Sequence, residues 1–221
     1  MITNTFATLN LSDRLLDALA RMDIHTPSPI QAKSIPVSLE GHDVIGIAQT
    51  GTGKTLAFGL PMLERLFEGE TGLVLAPTRE LAQQIEETLV KLGTRAVLVV
   101  GGANMSTQVR LLRNRPLVIG ATPGRLMDHM QQRTVDLSNV SIVVLDEADR
   151  MLDMGFEPAI RRILSQLPYE RQTLMFSATM PPEIETLAHE FLYEPEKVEV
   201  EPPGTAPQLI EQELVFLNHE E

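Results

Sequence analysis

The sequence contains no cysteine and no tryptophan, and only two tyrosines and seven phenylalanines. The missing thiols exclude disulfides, thiol nucleophiles and cysteine-held metals, and the five histidines are scattered without ligand spacing. Transition-metal chemistry is therefore not expected. No apolar run approaches the ~18 residues needed to cross a membrane, and Met1-Ile2-Thr3-Asn4-Thr5 has neither the basic start nor the apolar core of a signal peptide. The expected setting is cytoplasmic, with no membrane partner. Basic residues are scarce as well: 18 Lys and Arg against 30 Asp and Glu leave a net charge of −12. A protein that grips nucleic acid with its whole surface carries the opposite balance, so any contact with a polyanion has to be local.

What the chain does have is a regular alternation of apolar runs and helical patterns. Runs near 44–47, 72–76, 95–100, 116–120, 141–145, 172–176 and 196–200 predict strands, with helices between them. Ser12 reads as an N-cap ahead of the stripe Leu15, Leu16, Leu19 and Met22, and Pro29 opens a second helix running to about Glu40. The pattern implies an α/β fold: a mostly parallel, doubly wound, seven-stranded sheet with helices on both faces. A chain of 221 residues suits one such domain and buries roughly 70% of its unfolded surface. That domain is expected over 1–201, with 1–40 a helical region before the first strand. Pro202-Pro203-Gly204 breaks the alternation, so 202–221 reads as a linker. Within it, Ile210 to Phe216 either begins the first strand of a further domain or belongs to a tail of this one.

Ala48-Gln49-Thr50-Gly51-Thr52-Gly53-Lys54-Thr55 follows the apolar run Val44-Ile45-Gly46-Ile47, the context of a phosphate-binding loop. Backbone N–H groups from Thr50 through Gly51 and Thr52 to Gly53 can converge on phosphate oxygens, and the two glycines permit the concave backbone. Lys54 supplies a point charge toward the β and γ phosphates. Thr55 supplies a hydroxyl for Mg²⁺, and the helix starting near Lys54 turns its positive end to the anion. Ala48 stands where the general pattern has glycine. The alternative is a strand-to-helix turn without a ligand.

An NTPase also needs carboxylates at the end of another buried strand. Ser141-Ile142-Val143-Val144-Leu145-Asp146-Glu147-Ala148-Asp149 provides them at the carboxyl end of a strand buried on both faces, where parallel sheets bind ligands. Asp146 is assigned to Mg²⁺ and Glu147 to the attacking water. Asp149 is left for another task. Helix capping is the alternative for these acids.

AQTGTGKT, Pro77-Thr78-Arg79-Glu80-Leu81-Ala82, Gly101-Gly102, Thr122-Pro123-Gly124-Arg125, Asp146-Glu147-Ala148-Asp149 and Ser177-Ala178-Thr179 resemble, in order and spacing, the motifs of the DEAD-box RNA helicases. The resemblance runs from Phe6 to about Glu201. It implies the first, ATP-binding RecA-like domain of such an enzyme, a P-loop NTPase fold, with ATP and Mg²⁺ as cofactors. No segment resembles the second domain's arginine-bearing motifs, so a second RecA-like domain of the same polypeptide is the expected partner, and this domain is expected to be monomeric. Because an arginine finger is worth about 10³–10⁵ in rate, this half alone should hydrolyse ATP poorly.

The resemblance also assigns further residues. Pro27-Ser28-Pro29-Ile30-Gln31 looks like the Q motif, in which Gln31 would read adenine and Phe6 would stack on it; otherwise Gln31 is a helix-surface amide and Phe6 a core residue. Asp23 stands where the family usually has glycine, which puts the local turn in question. Ser177 and Thr179 would bind Asp149 and couple nucleotide to RNA, or else cap the next helix. Thr78, Arg79, Gly101, Gly102, Thr122, Gly124 and Arg125 would hold RNA backbone independently of sequence. Their ordinary readings are a surface ion pair for Arg79 and a turn at Pro123-Gly124. Neither the Asn-Lys-x-Asp motif of GTPases nor the Leu-Ser-Gly-Gly-Gln segment of transporter ATPases occurs. A nucleotide-switched RNA- or protein-binding module with little catalysis is the remaining alternative.

Overall fold

The computed structural model describes residues 5–200. Two helices, α1 (Asp13–Arg21) and α2 (Pro29–Leu39), precede the sheet. Then strands and helices alternate: β1 (Val44–Ile47), α3 (Lys54–Arg65), β2 (Thr71–Leu75), α4 (Arg79–Lys91), β3 (Ala96–Val99), α5 (Met105–Leu112), β4 (Val118–Ala121) and α6 (Pro123–Gln131). The series continues with β5 (Val140–Leu145), α7 (Ala148–Asp153), α8 (Glu157–Leu164), β6 (Gln172–Ser177), α9 (Pro182–Phe191) and β7 (Glu196–Glu199). The seven strands form one sheet in the order β3-β4-β2-β5-β6-β1-β7, and every pairing is parallel. Each expected strand is present within about two residues of its predicted bounds. The linker and strand expected beyond 201 lie outside the described residues.

The sheet is buried on both faces because successive strand residues alternate between two cores. Val44, Val74, Val144, Leu174 and Phe176 pack with α1 to α4 on one side; Ile45, Leu73, Leu75, Leu145 and Met175 pack with α6 to α9 on the other. Gly46 faces the first core, where a Cβ would come 2.5 Å from the Phe176 ring. That absent side chain lets Phe176 reach Phe58 of α3, their centroids 5.6 Å apart.

Two local expectations change. Ser12 holds the extended conformation of an N-cap but does not cap α1: its N–H and hydroxyl both donate to Glu64 Oε2, at 3.1 and 2.9 Å, tying α1 to α3. Asp23 takes the left-handed turn that a glycine would take, with φ 58°. Its carboxylate lies 2.9 Å from His25 Nε2.

The register places the strand ends level along one edge. Ala48 N–H donates to Ser177 O (3.0 Å), Asp146 N–H to Leu75 O (2.9 Å), Ala76 N–H to Ala121 O (2.9 Å) and Thr122 N–H to Val99 O (3.1 Å). The loops that leave these carboxyl ends therefore share one rim.

Candidate active site

The loop from Ala48 to Gly53 leaves β1 at that rim and turns into α3. Gly51 and Gly53 adopt φ of 84° and 89°, the left-handed region that a side chain strains. Gly53 has a second constraint, since a Cβ would lie 2.4 Å from Gln31 Nε2. Gln31, 4% exposed, accepts from Ser28 N–H at Oε1 (2.8 Å) and donates from Nε2 to Gly53 O (3.0 Å). Its amide thereby braces the phosphate loop from α2 and retains one N–H and one lone pair. Thr52 Oγ1 donates to Gln49 O at 2.7 Å, closing the loop on itself.

Lys54 opens α3 with its side chain only 6% exposed. Its Nζ is buried and has no hydrogen-bond partner among the described residues, where the nearest opposite charge is Asp146 Oδ1, 4.0 Å away. A buried ammonium with none of its three donors satisfied is costly, and phosphate oxygens are the ligand that would satisfy it. Thr55 follows on the first turn, partly exposed. The donor set fits a nucleotide phosphate chain with its hard cation.

Asp146, 2% exposed, sits one residue beyond β5 and accepts from Glu147 N–H at 3.0 Å. Burial pushes its carboxyl up to about 6, against the pull of Lys54 and with a smaller push from Glu147. A divalent cation would reverse that balance. Glu147 occupies the left-handed region (φ 51°, ψ 53°), which costs a non-glycine residue about 1–2 kcal/mol. The strained turn brings Oε1 to 3.4 Å from the Thr50 hydroxyl, while Oε2 accepts from Arg150 Nη1 at 3.1 Å. Arg150 is a partner that the motif spacing did not identify; its i+3 position relative to Glu147 was the available signal.

Asp149 meets both hydroxyl residues of the neighbouring strand end. Its Oδ2 accepts from Thr179 N–H (3.0 Å) and Thr179 Oγ1 (2.8 Å), and its N–H donates to Ser177 Oγ (3.2 Å). Burial raises the Asp149 carboxyl, but the hydrogen bonds from Thr179, Arg150 and Ser177 together outweigh it and hold the group below its ordinary value. Phe6, 3% exposed, packs in the core with Leu9 and Leu11, as the core-residue alternative for it expects.

The backbone-binding candidates lie on the other half of the rim. Thr78 caps α4, accepting from Leu81 N–H at 3.2 Å, with Arg79 exposed beside it. Gly101 and Gly102 follow β3 and are exposed, and the Arg79 guanidinium lies close against Gly102. Thr122 and the exposed Gly124 begin α6. Arg125 Nη1 donates to Ala103 O (3.2 Å) and Gln108 Oε1 (3.4 Å), and its Nε is 3.6 Å from Asp128 Oδ2. Since β3, β4 and β2 are adjacent, these loops form one strip beside the carboxylate site, which lies over β5, β6 and β1. Gln108 was not a sequence candidate, and a polar residue on the apolar face of α5, in line with Leu112, was its only signal.

The model of the DEAD/DEAH box helicase family matches residues 28–187. The chain is 48% identical over 206 residues to the DEAD-box ATP-dependent RNA helicase CshA of Bacillus subtilis, covering 90% of this chain and 42% of that protein. It is 50% identical over 203 residues to CshA of Geobacillus kaustophilus, covering 89% and 44% respectively. Its fold superposes on the crystal structure of a DEAD box protein from the hyperthermophile Methanococcus jannaschii with a TM-score of 0.84 at 35% identity, over 89% of this chain and 56% of that one. The chain thus spans about two-fifths of the length of these curated relatives.

Proposed function

Because this chain belongs to the DEAD/DEAH box helicase family, we propose that it is the ATP-binding half of an ATP-dependent RNA helicase, hydrolysing ATP to separate short stretches of RNA duplex. The observation that carries the reading is the buried, unpartnered Lys54 ammonium between a left-handed glycine loop and Asp146. Lys54 would bind the β and γ phosphates and Gln31 the adenine edge, with the loop amides from Thr50 to Gly53 completing the cradle. Thr55 and Asp146 would hold Mg²⁺, which when bound neutralises phosphate charge. Glu147 would orient the attacking water and accept its proton, with Thr50 and Arg150 fixing its two oxygens.

Asp149, Ser177 and Thr179 would transmit the state of that site to the RNA strip, where Thr78, Arg79, Gly101, Gly102, Thr122, Gly124 and Arg125 would hold backbone phosphates and 2′-hydroxyls without reading bases. The domain would run over 1–201, with 202–221 linking it to a second RecA-like domain that completes the ATP site. The same reading includes a monomeric domain in a cytoplasmic setting. In the longer protein, Lys54→Ala is expected to abolish RNA-stimulated ATP hydrolysis and duplex separation together. Retention of either activity would overturn the assignment.

A further inference from the structure

A buried polar network behind the strip has no part in the assignments above. His129, on α6, is fully buried. Its Nε2 lies 2.8 Å from Gln108 Oε1 and its Nδ1 2.8 Å from Thr134 Oγ1. Gln108 donates from Nε2 to Val100 O at 2.9 Å, which fixes the amide orientation and turns Oε1 toward both His129 and Arg125. An acceptor at Oε1 requires the His129 proton on Nε2, which makes Nδ1 an acceptor for the Thr134 hydroxyl at 2.8 Å, with His129 O a second, longer acceptor for that hydroxyl at 3.2 Å. Burial and the neighbouring Arg125 both disfavour the imidazolium, in keeping with this neutral tautomer.

We infer that Gln108 and His129 are positioning residues that lock Arg125 and the Gly101–Gly102 loop together as one clamp for RNA backbone. The Gln108 amide spans the two segments: it holds Val100, the residue before Gly101, through Nε2 and Arg125 through Oε1. Arg125 Nη1 is engaged by Ala103 O and Gln108, and Nε lies 3.6 Å from Asp128 Oδ2, which leaves the Nη2 donors without a hydrogen-bond partner among the described residues and available to a phosphate. An arginine free to rotate would lose ordering entropy on each encounter with RNA; one held by a buried amide and imidazole has already lost it. Neither Gln108 nor His129 touches the nucleotide loop, so their effect falls on RNA alone.

The inference rests on Arg125 binding RNA backbone, and its test separates the two. In the longer protein, Gln108→Met, His129→Leu and Arg125→Ala are assayed for ATP hydrolysis against RNA concentration. Each is expected to raise the RNA concentration for half-maximal stimulation by about tenfold, and Gln108→Met and His129→Leu are expected to leave the rate at saturating RNA and the KM for ATP within about twofold. His129→Gln, which keeps a donor toward Gln108, is expected to stay within about threefold of the parent. Gln108→Met added to Arg125→Ala should cause little further loss, because both act through one guanidinium. An unchanged Arg125→Ala variant would overturn the backbone reading itself. An effective Arg125→Ala variant alongside a silent or fully additive Gln108→Met would overturn the positioning role alone. Thermal unfolding of each variant accompanies the assay. Should Gln108→Met or His129→Leu not fold, Thr134→Val, which removes the hydroxyl that meets His129 at Nδ1 and at its carbonyl, must show the same RNA-selective loss, and its silence would equally refute the role.

Discussion

At the scale of single residues, the site is organised by charges that the protein leaves unbalanced. Lys54 and Asp146 are both buried, yet 4.0 Å apart and without a direct hydrogen bond between them. Such a pair is poorly compensated in isolation and well compensated by a phosphate–cation ligand inserted between them. Asp146 rests near a pKa of about 6, so a fraction of the protein is protonated there at pH 6 and must release that proton when a cation binds. Calorimetric titration with Mg²⁺ and nucleotide in buffers of different ionisation enthalpy should show proton release at pH 6 that fades by pH 8. The part due to Asp146 should vanish in Asp146→Asn; identical release in that variant would refute the assignment. Asp149 behaves oppositely. Its folded-state pKa is depressed, so its contribution to stability is fully present above the unfolded value near 3.8 and is lost as pH falls through the lower, folded value. Asp149→Asn is therefore expected to show a shallower acid-side loss of stability than the parent in pH-dependent denaturation. Of these residues, the ones in short contiguous runs were legible from sequence. For Phe6 the sequence left two readings open, because its place is fixed by packing in the core with Leu9 and Leu11 rather than by any local spacing.

At the scale of elements, the chain's turns are where sequence and geometry constrain each other most tightly. Gly53 is held at φ 89° and pressed by the Gln31 amide, so Gly53→Ala meets both a strained backbone and a 2.4 Å contact. The expected cost is about 1–3 kcal/mol in folding stability, together with at least tenfold weaker nucleotide binding. Unfolding in urea and nucleotide titration would each report it, and an alanine variant equal to the parent in both would show that the loop is not rigid. Strands and helices were readable because their apolar runs and stripes differ in period, and each strand end fell within about two residues of its expected place. Ser12 shows the limit. Its sequence context is that of a helix cap, but a carboxylate 52 residues away outcompetes the local N–H groups for its hydroxyl. Gln108 shows the same limit from inside a helix, since partners brought by β3 and α6 leave no trace in the spacing of α5.

At the scale of the whole molecule, the parallel sheet assigns different tasks to different stretches of one rim. Strands β5, β6 and β1 present the carboxylates, the hydroxyls and the phosphate loop, while β3, β4 and β2 present the three loops proposed for RNA. The two halves adjoin where β2 pairs with β5, which allows a polyanion and a nucleotide to sit side by side on a protein of net charge −12. Local donors rather than overall charge then have to supply the binding, so RNA affinity should be low in this chain alone and salt-sensitive. The proposed second domain would add arginines that stabilise the transition state and so raise turnover above that of this domain. On this reading the buried Lys54 ammonium exists to hold ATP. It is tested most directly by titrating this chain and its Lys54→Ala variant with Mg²⁺ and ATP while following steady-state hydrolysis. Saturable binding with scant turnover is expected in the parent and at least a hundredfold weaker binding in the variant, in line with a charge-assisted contact of about 3 kcal/mol. Equal binding by the two proteins, or vigorous turnover by the parent alone, would contradict it.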